Sequence, residues 1–424
     1  MNESSPRLEL AALIGIDWAD QQHEIALREV GADRIETMQL SAKPEALRDW
    51  LRALRTRFGG RPVGVILEQS RGPLIHALLE HEFLALYPVN PATVKWFRRS
   101  FYGSGSKDDP RDAALLLELL EKHRDRLHPW TPDDSETRLL GRLVEGRRRA
   151  VDERTQLVQR LTAELKSYFP QALDWAGTEL ASPMALDFLR QWPTLSLLKG
   201  EREPALRRFY SLHNCRSKEQ IERRLREIRR AVPLVTDPAI VEPSVLTVRM
   251  LVEQIRALNP VIEHYEERIA ELFARHPDAP LFRSLPGAGA ALAPRLLTAF
   301  GTDRSRFPSA GVLQQYCGIA PVTERSGKSR WVHWRWAAPR FLRQSFHEFA
   351  GQSIRSSVWA RAYYEMLRER GKSHHSALRA LAFKWLRILW RCWQDRRPYC
   401  EAEYMAALRR AGSPLAHRIP VPAS

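Results

Sequence analysis

An apolar stretch near the start of the chain, AALIGID at residues 11–17, decides the fold. Six apolar or small residues followed by an aspartate predict a buried β-strand that ends at Asp17. Strands and helices then alternate along the chain, which is the element order of an α/β domain. The further strands are predicted around residues 23–28, 63–67 and 85–89, and the helices over residues 44–57, 74–82 and 109–122.

The remainder of the chain is predicted to be mostly α-helical. Long charged stretches with an apolar seam cover residues 134–168, 216–231 and 245–276. Such helices indicate either a coiled-coil arm or dimer interface, or a plain helical bundle, and both readings stay open. The predicted domain order is an α/β domain at 8–130, a helical linker or coiled coil at 131–280, a compact C-terminal domain at 281–404 and a loose tail at 405–424.

The charge balance favours a polyanionic partner. Lys and Arg number 66 against 50 Asp and Glu in 424 residues, which gives a net charge of +16, and such a surplus attracts nucleic acid or an anionic membrane. The four cysteines form no C-x-x-C pair, so no zinc site is indicated and a reducing cytoplasm fits. Neither a signal-peptide pattern nor a membrane-spanning run is visible. Nucleic acid is therefore the expected partner, in the cytoplasm.

Four carboxylates carry the sharpest chemical signal. Asp17 and Glu68 each end a predicted strand, while Asp109 and Asp112 lie three residues apart at the start of a helix and share one face. Four converging carboxylates need cations, and oxygen-only ligands suit Mg²⁺ or Mn²⁺. Two such ions could polarise a phosphodiester. The plain alternative is that the aspartates are first-turn acids of a helix and that Glu68 is a surface residue.

A glycine turn opens the predicted C-terminal domain. The sequence LPGAG at residues 285–289 precedes a helical pattern and resembles a helix–hairpin–helix element. In such an element Gly287 and Gly289 would let the backbone approach a DNA phosphate at a helix N-terminus. The alternative is a tight turn between two helices that binds no ligand.

A second candidate lies in TERSGKSR at residues 323–330. Ser326 stands beside Arg325 and Lys328, and a deprotonated hydroxyl could attack phosphorus there; most Ser-Gly pairs, however, are ordinary turns. Basic and aromatic residues alternate after it, as expected for contact with phosphates and unpaired bases. Residues 384–393 show a similar composition, but their helical spacing favours a buried core face.

Taken in order, these motifs resemble the insertion-sequence transposases that pair a RuvC-like DEDD domain with a C-terminal serine domain and are guided by a bridge RNA. The resemblance covers nearly the whole chain, and the joint order is more specific than any single motif. Asp108 adds an acid beside Asp109, but the spacing favours Asp109. The matching stretches are IGID ending at Asp17, Glu68, Asn90-Pro91, KDDPRDA from Lys107 to Ala113, LPGAG at 285–289, and GIAP at 318–321 with Ser326-Gly327 beyond.

The resemblance implies a ribonuclease-H-like N-terminal domain and a C-terminal domain with a helix–hairpin–helix-like element. It further implies that the acidic quartet binds Mg²⁺ or Mn²⁺, that Ser326 joins covalently to DNA, and that the serine of one subunit faces the quartet of another. The expected partners are a bridge RNA, donor DNA, target DNA and further copies of the chain, at least a dimer and a tetramer in the synaptic complex. The residues expected to contact nucleic acid are Lys107, Gly287, Gly289, Arg325, Lys328 and Arg330.

The sequence thus predicts a Mg²⁺-dependent, RNA-guided DNA recombinase of an insertion sequence. Two alternatives stay open: a metal-dependent structure-specific nuclease without a covalent intermediate, and a binding protein with an inactive nuclease fold. Residues 170–245 form a longer segment than the resemblance requires. Contact with RNA and contact with another subunit are the two roles that stay open for this segment.

Overall fold

The computed structural model describes residues 8–68, 72–101, 109–127, 129–215, 217–327, 329–335 and 338–419. The side chains of Phe101, Asp109 and Pro110 are outside that description. Lys107 and Lys328, both predicted to contact nucleic acid, lie outside the described residues. The chain divides into two compact units, Met1–Pro132 and Asp133–Ser424.

The first unit is a mixed α/β domain built on one five-stranded sheet, in the order β3-β2-β1-β4-β5. Strand β1 pairs antiparallel with β2 and parallel with β4, while β4 pairs parallel with β5. The elements in chain order are β1 (Ala12–Asp17), β2 (Gln22–Glu29), β3 (Glu36–Ser41), α1 (Pro44–Arg57), β4 (Val63–Leu67), α2 (Pro73–Leu78), β5 (Leu84–Pro88), α3 (Pro91–Phe101) and α4 (Asp109–His123).

Both faces of this sheet are covered, which explains the continuous apolar runs of its central strands. Ile14 and Ile16 of β1 pack into a core with α1 and α2. Leu13, one residue away, points to the opposite face and packs there with α3 and α4. The alternation of side chains along a strand therefore assigns each residue of β1 and β4 to one face.

The second unit is largely helical. Besides two short 3₁₀ helices, its elements in chain order are α5 (Ser135–Tyr168), α6 (Ala172–Trp175), α7 (Pro183–Gln191), α8 (Leu195–Gly200), α9 (Glu203–Leu212), α10 (Lys218–Arg230), α11 (Pro238–Arg275), α12 (Ala279–Arg283), α13 (Gly289–Phe300), α14 (Ala310–Tyr316), β6 (Val322–Ser326), β7 (Ser329–His333), α15 (Arg340–Ser356), α16 (Val358–Glu369), α17 (His374–Asp395) and α18 (Glu401–Arg410).

The two longest helices, α5 and α11, pack against each other and run antiparallel. Glu136 near the start of α5 pairs with Arg275 at the end of α11, whereas Arg154 further along α5 bonds Asn259. Arg147 lies between these levels and pairs with Glu266. The leucine seam predicted over residues 134–168 is therefore real, and its partner is α11 of the same chain.

The segment between these two helices forms a helical module with its own core. Phe188, Trp192 and Phe209 stack edge to face and pack with Leu161 of α5 and Leu251 of α11. Residues 170–245 thus fold into a packed helical module on α5 and α11 rather than forming a linker.

A third core unites α12 to α17. Trp385 and Trp393 of α17 are fully buried in it, and their indole N–H groups donate to the Ser353 hydroxyl and the Gly301 carbonyl. The tryptophans of residues 384–393 serve packing, as their helical spacing favoured. Strands β6 and β7 form a separate antiparallel hairpin.

Several local predictions need correction. Strand β3 and helix α3 were not predicted, and α11 begins at Pro238, earlier than residue 245, because proline suits a first helical turn and Asp237 caps it. The described part of the tail is not loose, since α18 lies there and Leu415 and Ile419 are buried in the third core. In the described residues, no helix is long and apolar enough to cross a membrane.

Candidate active site

Asp17 and Glu68 lie side by side at the carboxyl ends of two neighbouring parallel strands. Ile16 of β1 is level with Leu67 of β4, and each acid is the next residue along its strand. Neighbouring strands are about 4.8 Å apart, so the two backbones are within carboxylate reach of each other. Both acids are half-buried.

The strand alternation places both acids on the face of the sheet that α4 covers. Ile66 of β4 packs with α4, and Glu68, two residues on, shares its face. Gly15 lies two residues before Asp17 and contacts α4 directly, because a Cβ atom at Gly15 would be 2.2 Å from the Ala113 carbonyl oxygen and 2.6 Å from the Leu117 nitrogen.

Helix α4 starts over the acidic end of the strands. A Cβ atom at Gly64, which pairs with Leu13, would meet the Leu120 side chain, whereas Gly15 meets Ala113. The helix therefore runs from the carboxyl ends of β1 and β4 towards their starts. Its first turn, which contains Asp112, lies beside the strand ends that carry Asp17 and Glu68.

Asp112 is buried and holds an ion pair. Only 7% of the residue is exposed, and its Oδ1 lies 2.7 Å from Nη2 of Arg98 on α3. Burial of a carboxylate is costly unless it is paired, and Arg98 supplies the counter-charge. Asp109 is on the same turn, but its side chain is outside the described residues. Asp112 has further partners besides Arg98.

Three of the four predicted acids therefore lie at the same end of the sheet, two at neighbouring strand ends and one on the first turn of α4. Among the described side chains, no group of three His, Cys, Asp or Glu residues is close enough to hold a metal ion. The donor set fits Mg²⁺ or Mn²⁺ chemically, because all its members offer carboxylate oxygens and none offers sulfur or nitrogen. The full quartet as a metal site remains a prediction.

Ser326 is the last residue of β6 and lies exposed at the tip of the β6–β7 hairpin. It pairs with Ser329 across the turn, and Gly327 between them adopts a φ of +56°. Such a φ is what tight hairpin turns require. The Ser326 hydroxyl has no hydrogen-bond partner among the described residues, so the described part of the hairpin offers it no general base.

Arg325 and Arg330 lie opposite each other one step below Ser326. Both are exposed. Like charges directly opposite on two strands repel each other, which destabilises the hairpin in water unless an anion lies between them. Because successive side chains of a strand point to opposite faces, this arginine pair projects from the face of the hairpin opposite to Ser326, where it can attract a nucleic-acid backbone.

The LPGAG segment forms a tight turn between α12 and α13. Gly287 has a φ of +80°, and a Cβ atom there would lie 2.8 Å from the Gln352 carbonyl oxygen on α15. Gly287 is thus needed for close packing of helices, which is the plain reading of this motif. A Cβ atom at Gly289 would meet nothing within 4 Å, so its side remains open to a ligand. Contact of either glycine with nucleic acid remains a prediction.

Two residues of the acidic site were missed in the sequence. Gly15 is the close-approach point between β1 and α4, and a glycine inside a buried strand is the signal that could have revealed it. Arg98 neutralises Asp112, but no sequence pattern relates a residue of α3 to one of α4 at this distance along the chain.

Comparisons with known proteins find two family models that match this chain. A family model described as "Transposase" and named for the DEDD domain of IS110 transposases matches residues 14–170, and one described as "Transposase IS116/IS110/IS902 family" matches residues 279–365. The first contains the acidic strand ends, and the second contains LPGAG and the serine hairpin.

Relatives align over most of their length. The protein of the IS117 mini-circle of Streptomyces coelicolor is 27% identical over 95% of this chain and 99% of its own. The 42 kDa protein of the IS900 insertion element of Mycobacterium paratuberculosis is 28% identical over 93% and 98%. The 44.8 kDa protein of IS116 from Streptomyces clavuligerus is 27% identical over 78% and 81%. Both family models match in order along this chain, which therefore carries the transposase domains of the IS110/IS116 family.

Proposed function

We propose that this transposase cleaves and rejoins DNA through a covalent phosphoserine link, with Ser326 as the nucleophile and Asp17, Glu68, Asp109 and Asp112 as the metal ligands. The observation that carries the proposal is the combination of two features. Carboxylates at the ends of β1 and β4 and on the first turn of α4 lie at one end of the sheet. An exposed serine lies at the tip of a basic hairpin and has no hydrogen-bond partner among the described residues.

The sheet topology supports a ribonuclease-H-like reading of the first unit. Three antiparallel strands, β3-β2-β1, continue into the parallel strands β4 and β5. Acids at the ends of the first and fourth strands, with a helix start over them, form the arrangement expected of a RuvC-like nuclease.

The chemistry assigned to each residue follows from its surroundings. The Ser326 oxygen forms a bond to phosphorus while the bond from phosphorus to the 3′ oxygen breaks, and the 3′ hydroxyl leaves with a proton. The phosphate ester is exchanged rather than hydrolysed, so the reverse attack by a 3′ hydroxyl rejoins DNA without ATP. A bound divalent cation would neutralise charge on the phosphate and the leaving oxygen. Arg325 and Arg330 would attract the DNA backbone to the hairpin through their charge.

A composite site is part of the proposal, as the resemblance to transposases with a DEDD domain and a serine domain implies. A serine hydroxyl is a poor nucleophile and needs activation and charge neutralisation. We propose that the acidic quartet of one subunit serves the serine of another, which requires at least a dimer and, for two duplexes, a tetramer.

Guidance by a bridge RNA is part of the same proposal. The net charge of +16 favours binding of RNA as well as DNA. Binding to either nucleic acid should weaken steeply with salt. The further contacts proposed with nucleic acid are Lys107, Gly287, Gly289 and Lys328.

Covalent trapping tests the proposal. Full-length protein would be incubated with the noncoding RNA flanking its element, Mg²⁺ and end-labelled donor and target DNA, and then run on a denaturing gel with peptide mapping. Label should shift onto the protein and map to Ser326, and Ser326→Ala should abolish the shift without weakening DNA or RNA binding. Ser329→Ala is the matched control, because that serine is the exposed partner across the same turn.

The alternatives predict different gels. Cleaved DNA that stays free of protein, with no effect of Ser326→Ala, would show a metal-dependent nuclease and refute the serine role. Binding without any cleavage, unaffected by Asp17→Asn, would indicate an inactive nuclease fold. Adduct formation in the Ser326→Ala protein would assign the nucleophile to another residue.

A further inference from the structure

A cavity of about 630 Å³ lies at the root of the serine hairpin, inside the second unit. Its walls come from the segment before β6, from the end of β7 and from helices α16 and α17. This volume is in the range of about 300–1,000 Å³ that small-ligand sites occupy. The residues that matter for its chemistry are His333, Trp334, Tyr363, Lys372, Arg379 and Phe383.

Aromatic rings and cations line this cavity together. Trp334 is half-exposed, and the Arg379 guanidinium lies 6.0 Å from its ring centroid, at the outer limit of a cation–π contact. Arg343 lies nearer the same ring, at 5.0 Å. The Trp334 ring therefore lies between two guanidinium groups, of which only Arg379 also lines the cavity.

The charge of the lining separates this cavity from two others of similar size. Asp395 and Glu403 line the cavity beside α18, and Glu266 lines the one beside α13. No carboxylate is among the described residues that line the cavity at the hairpin root, whereas Lys372 and Arg379 both reach it. An anion with an aromatic or flat body is the ligand class that this lining favours.

The position of the cavity relates it to the DNA chemistry. Ser326 is four residues from Val322 at the hairpin root, about 13 Å along an extended strand. A nucleic-acid strand whose phosphate is attacked at the hairpin tip would therefore place a base, a few nucleotides away, at the hairpin root. Duplex DNA keeps its bases stacked inside, so only an unpaired base could enter.

We propose that this cavity binds one unpaired nucleotide of a nucleic-acid strand, its base against Trp334 and Tyr363 and its phosphate with Lys372 and Arg379. This inference rests on the proposed function in taking nucleic acid as the substrate. The cavity would give the protein a second contact with the nucleic-acid strand, beside the site of cleavage, and this contact would select unpaired nucleotides.

Photocrosslinking of the full-length protein tests this inference without any cleavage step. The probe is a short single-stranded DNA with one 5-iodo-deoxyuridine, and an RNA of the same sequence with 5-iodouridine forms the second arm. Mass spectrometry should map the crosslink to Trp334 or Tyr363, and single strands should compete for it at least about tenfold better than duplex. The arm that crosslinks more strongly identifies the strand as DNA or as RNA.

Two tryptophans of the hairpin form a matched pair. Trp331 and Trp334 are about equally exposed, but only Trp334 lines the cavity. Trp334→Ala should weaken single-strand binding about tenfold, the effect of losing one stacked base, and Trp331→Ala should change it by less than about twofold. Arg379→Gln should weaken binding and reduce its salt dependence.

Crosslinks outside the cavity, equal losses for both tryptophan variants, or duplex competing as well as single strands would each overturn the inference. The Ser326→Ala protein should crosslink like the wild type. A normal crosslink without any serine adduct would therefore refute the proposed function alone, and a serine adduct without the crosslink would refute the cavity alone.

Discussion

The acidic strand ends and the serine hairpin differ in how their surroundings hold them. Asp17 and Glu68 end strands whose two faces are both covered, and Asp112 is buried against Arg98. Ser326 lies exposed on a two-stranded hairpin outside the main core of its unit. The proposed metal ligands are therefore fixed by a packed core, whereas the proposed nucleophile lies on a small exposed hairpin.

This contrast shows that packing holds the acidic site in place, whereas solvent exposure makes the serine accessible to another molecule. The carboxylates repel each other, so only extensive packing keeps them together, and Gly15 provides the close approach of α4 to β1. The hairpin carries the proposed nucleophile, which must reach a phosphate on a separate molecule, so exposure is required. Variants of the acidic site should therefore affect stability and metal binding as well as chemistry, whereas variants of the exposed hairpin should leave the stability of the fold largely unchanged.

The largest effect is expected from removing one acid. Asp112→Asn should lower the rate of DNA cleavage by about 10²–10³-fold, because a ligand of the proposed metal ion is lost and with it the charge stabilisation at the reacting phosphate. It should also weaken Mn²⁺ binding measured by calorimetry in the absence of DNA. Asp20→Asn, an exposed acid in the loop after β1, is the control and should change neither. Unchanged Mn²⁺ binding in Asp112→Asn would remove this residue from the metal site.

Gly15→Ala should separate packing from chemistry. The added methyl group would overlap the Ala113 carbonyl, so we expect a loss of about 3 kcal/mol in the free energy of unfolding of the first unit. Denaturant unfolding monitored by circular dichroism measures it. Gly200→Ala, where a Cβ atom meets nothing within 4 Å, should change stability by less than about 0.5 kcal/mol. Equal effects at both positions would contradict the close contact of β1 with α4.

Arg98→Gln tests the counter-charge of Asp112 and should have an intermediate effect. The pair is partly buried, so its loss should cost about 2 kcal/mol, between the values for exposed and fully buried pairs. Added Mn²⁺ should restore part of this stability if the cation takes over the neutralising role. Thermal melts with and without Mn²⁺ measure both quantities, and a metal-independent loss would confine Arg98 to a packing role.

The smallest effect concerns pH and involves a buried histidine of the second unit. The buried His276 accepts the Asp278 N–H at Nδ1 and bonds the Thr137 hydroxyl through Nε2, each at 3.0 Å. Burial lowers the pKa of His276, chiefly by desolvation and against the pull of Asp278 and Asp134. The folded state therefore prefers the neutral ring, while the unfolded chain takes up a proton near the ordinary value of about 6.5.

Stability should consequently be full above about pH 7 and fall as the pH drops below about 6.5. The pKa values of His23 and His347 are lowered by burial as well and act in the same direction. Melting temperatures at several pH values measure the slope, and His276→Gln, which cannot be protonated, should reduce it. A slope unaffected by that change would assign the pH dependence to other groups.

Much of the first unit could be predicted because strand periodicity and the positions of acids are local features. Asp17 and Glu68 could be placed at strand ends from apolar runs alone, and parallel pairing then brought them together. Strand β3 escaped detection because most of it is exposed and its composition, ETMQLS, has no clear alternation. The hairpin around Ser326 also lacked a local signal, since TERS and SRWVH are polar and exposed on most positions.

The sequence by itself determined the element order, the acidic strand ends, the long helices and the basic surplus, because each follows from residue periodicity or charge. Only the tertiary structure decided that α5 and α11 pair with each other, that residues 170–245 form a core of their own and that Arg98 neutralises Asp112. It also decided that Trp334, Tyr363 and Arg379 share one cavity. These contacts join residues far apart along the chain, and packing between distant segments leaves no periodic trace in either of them.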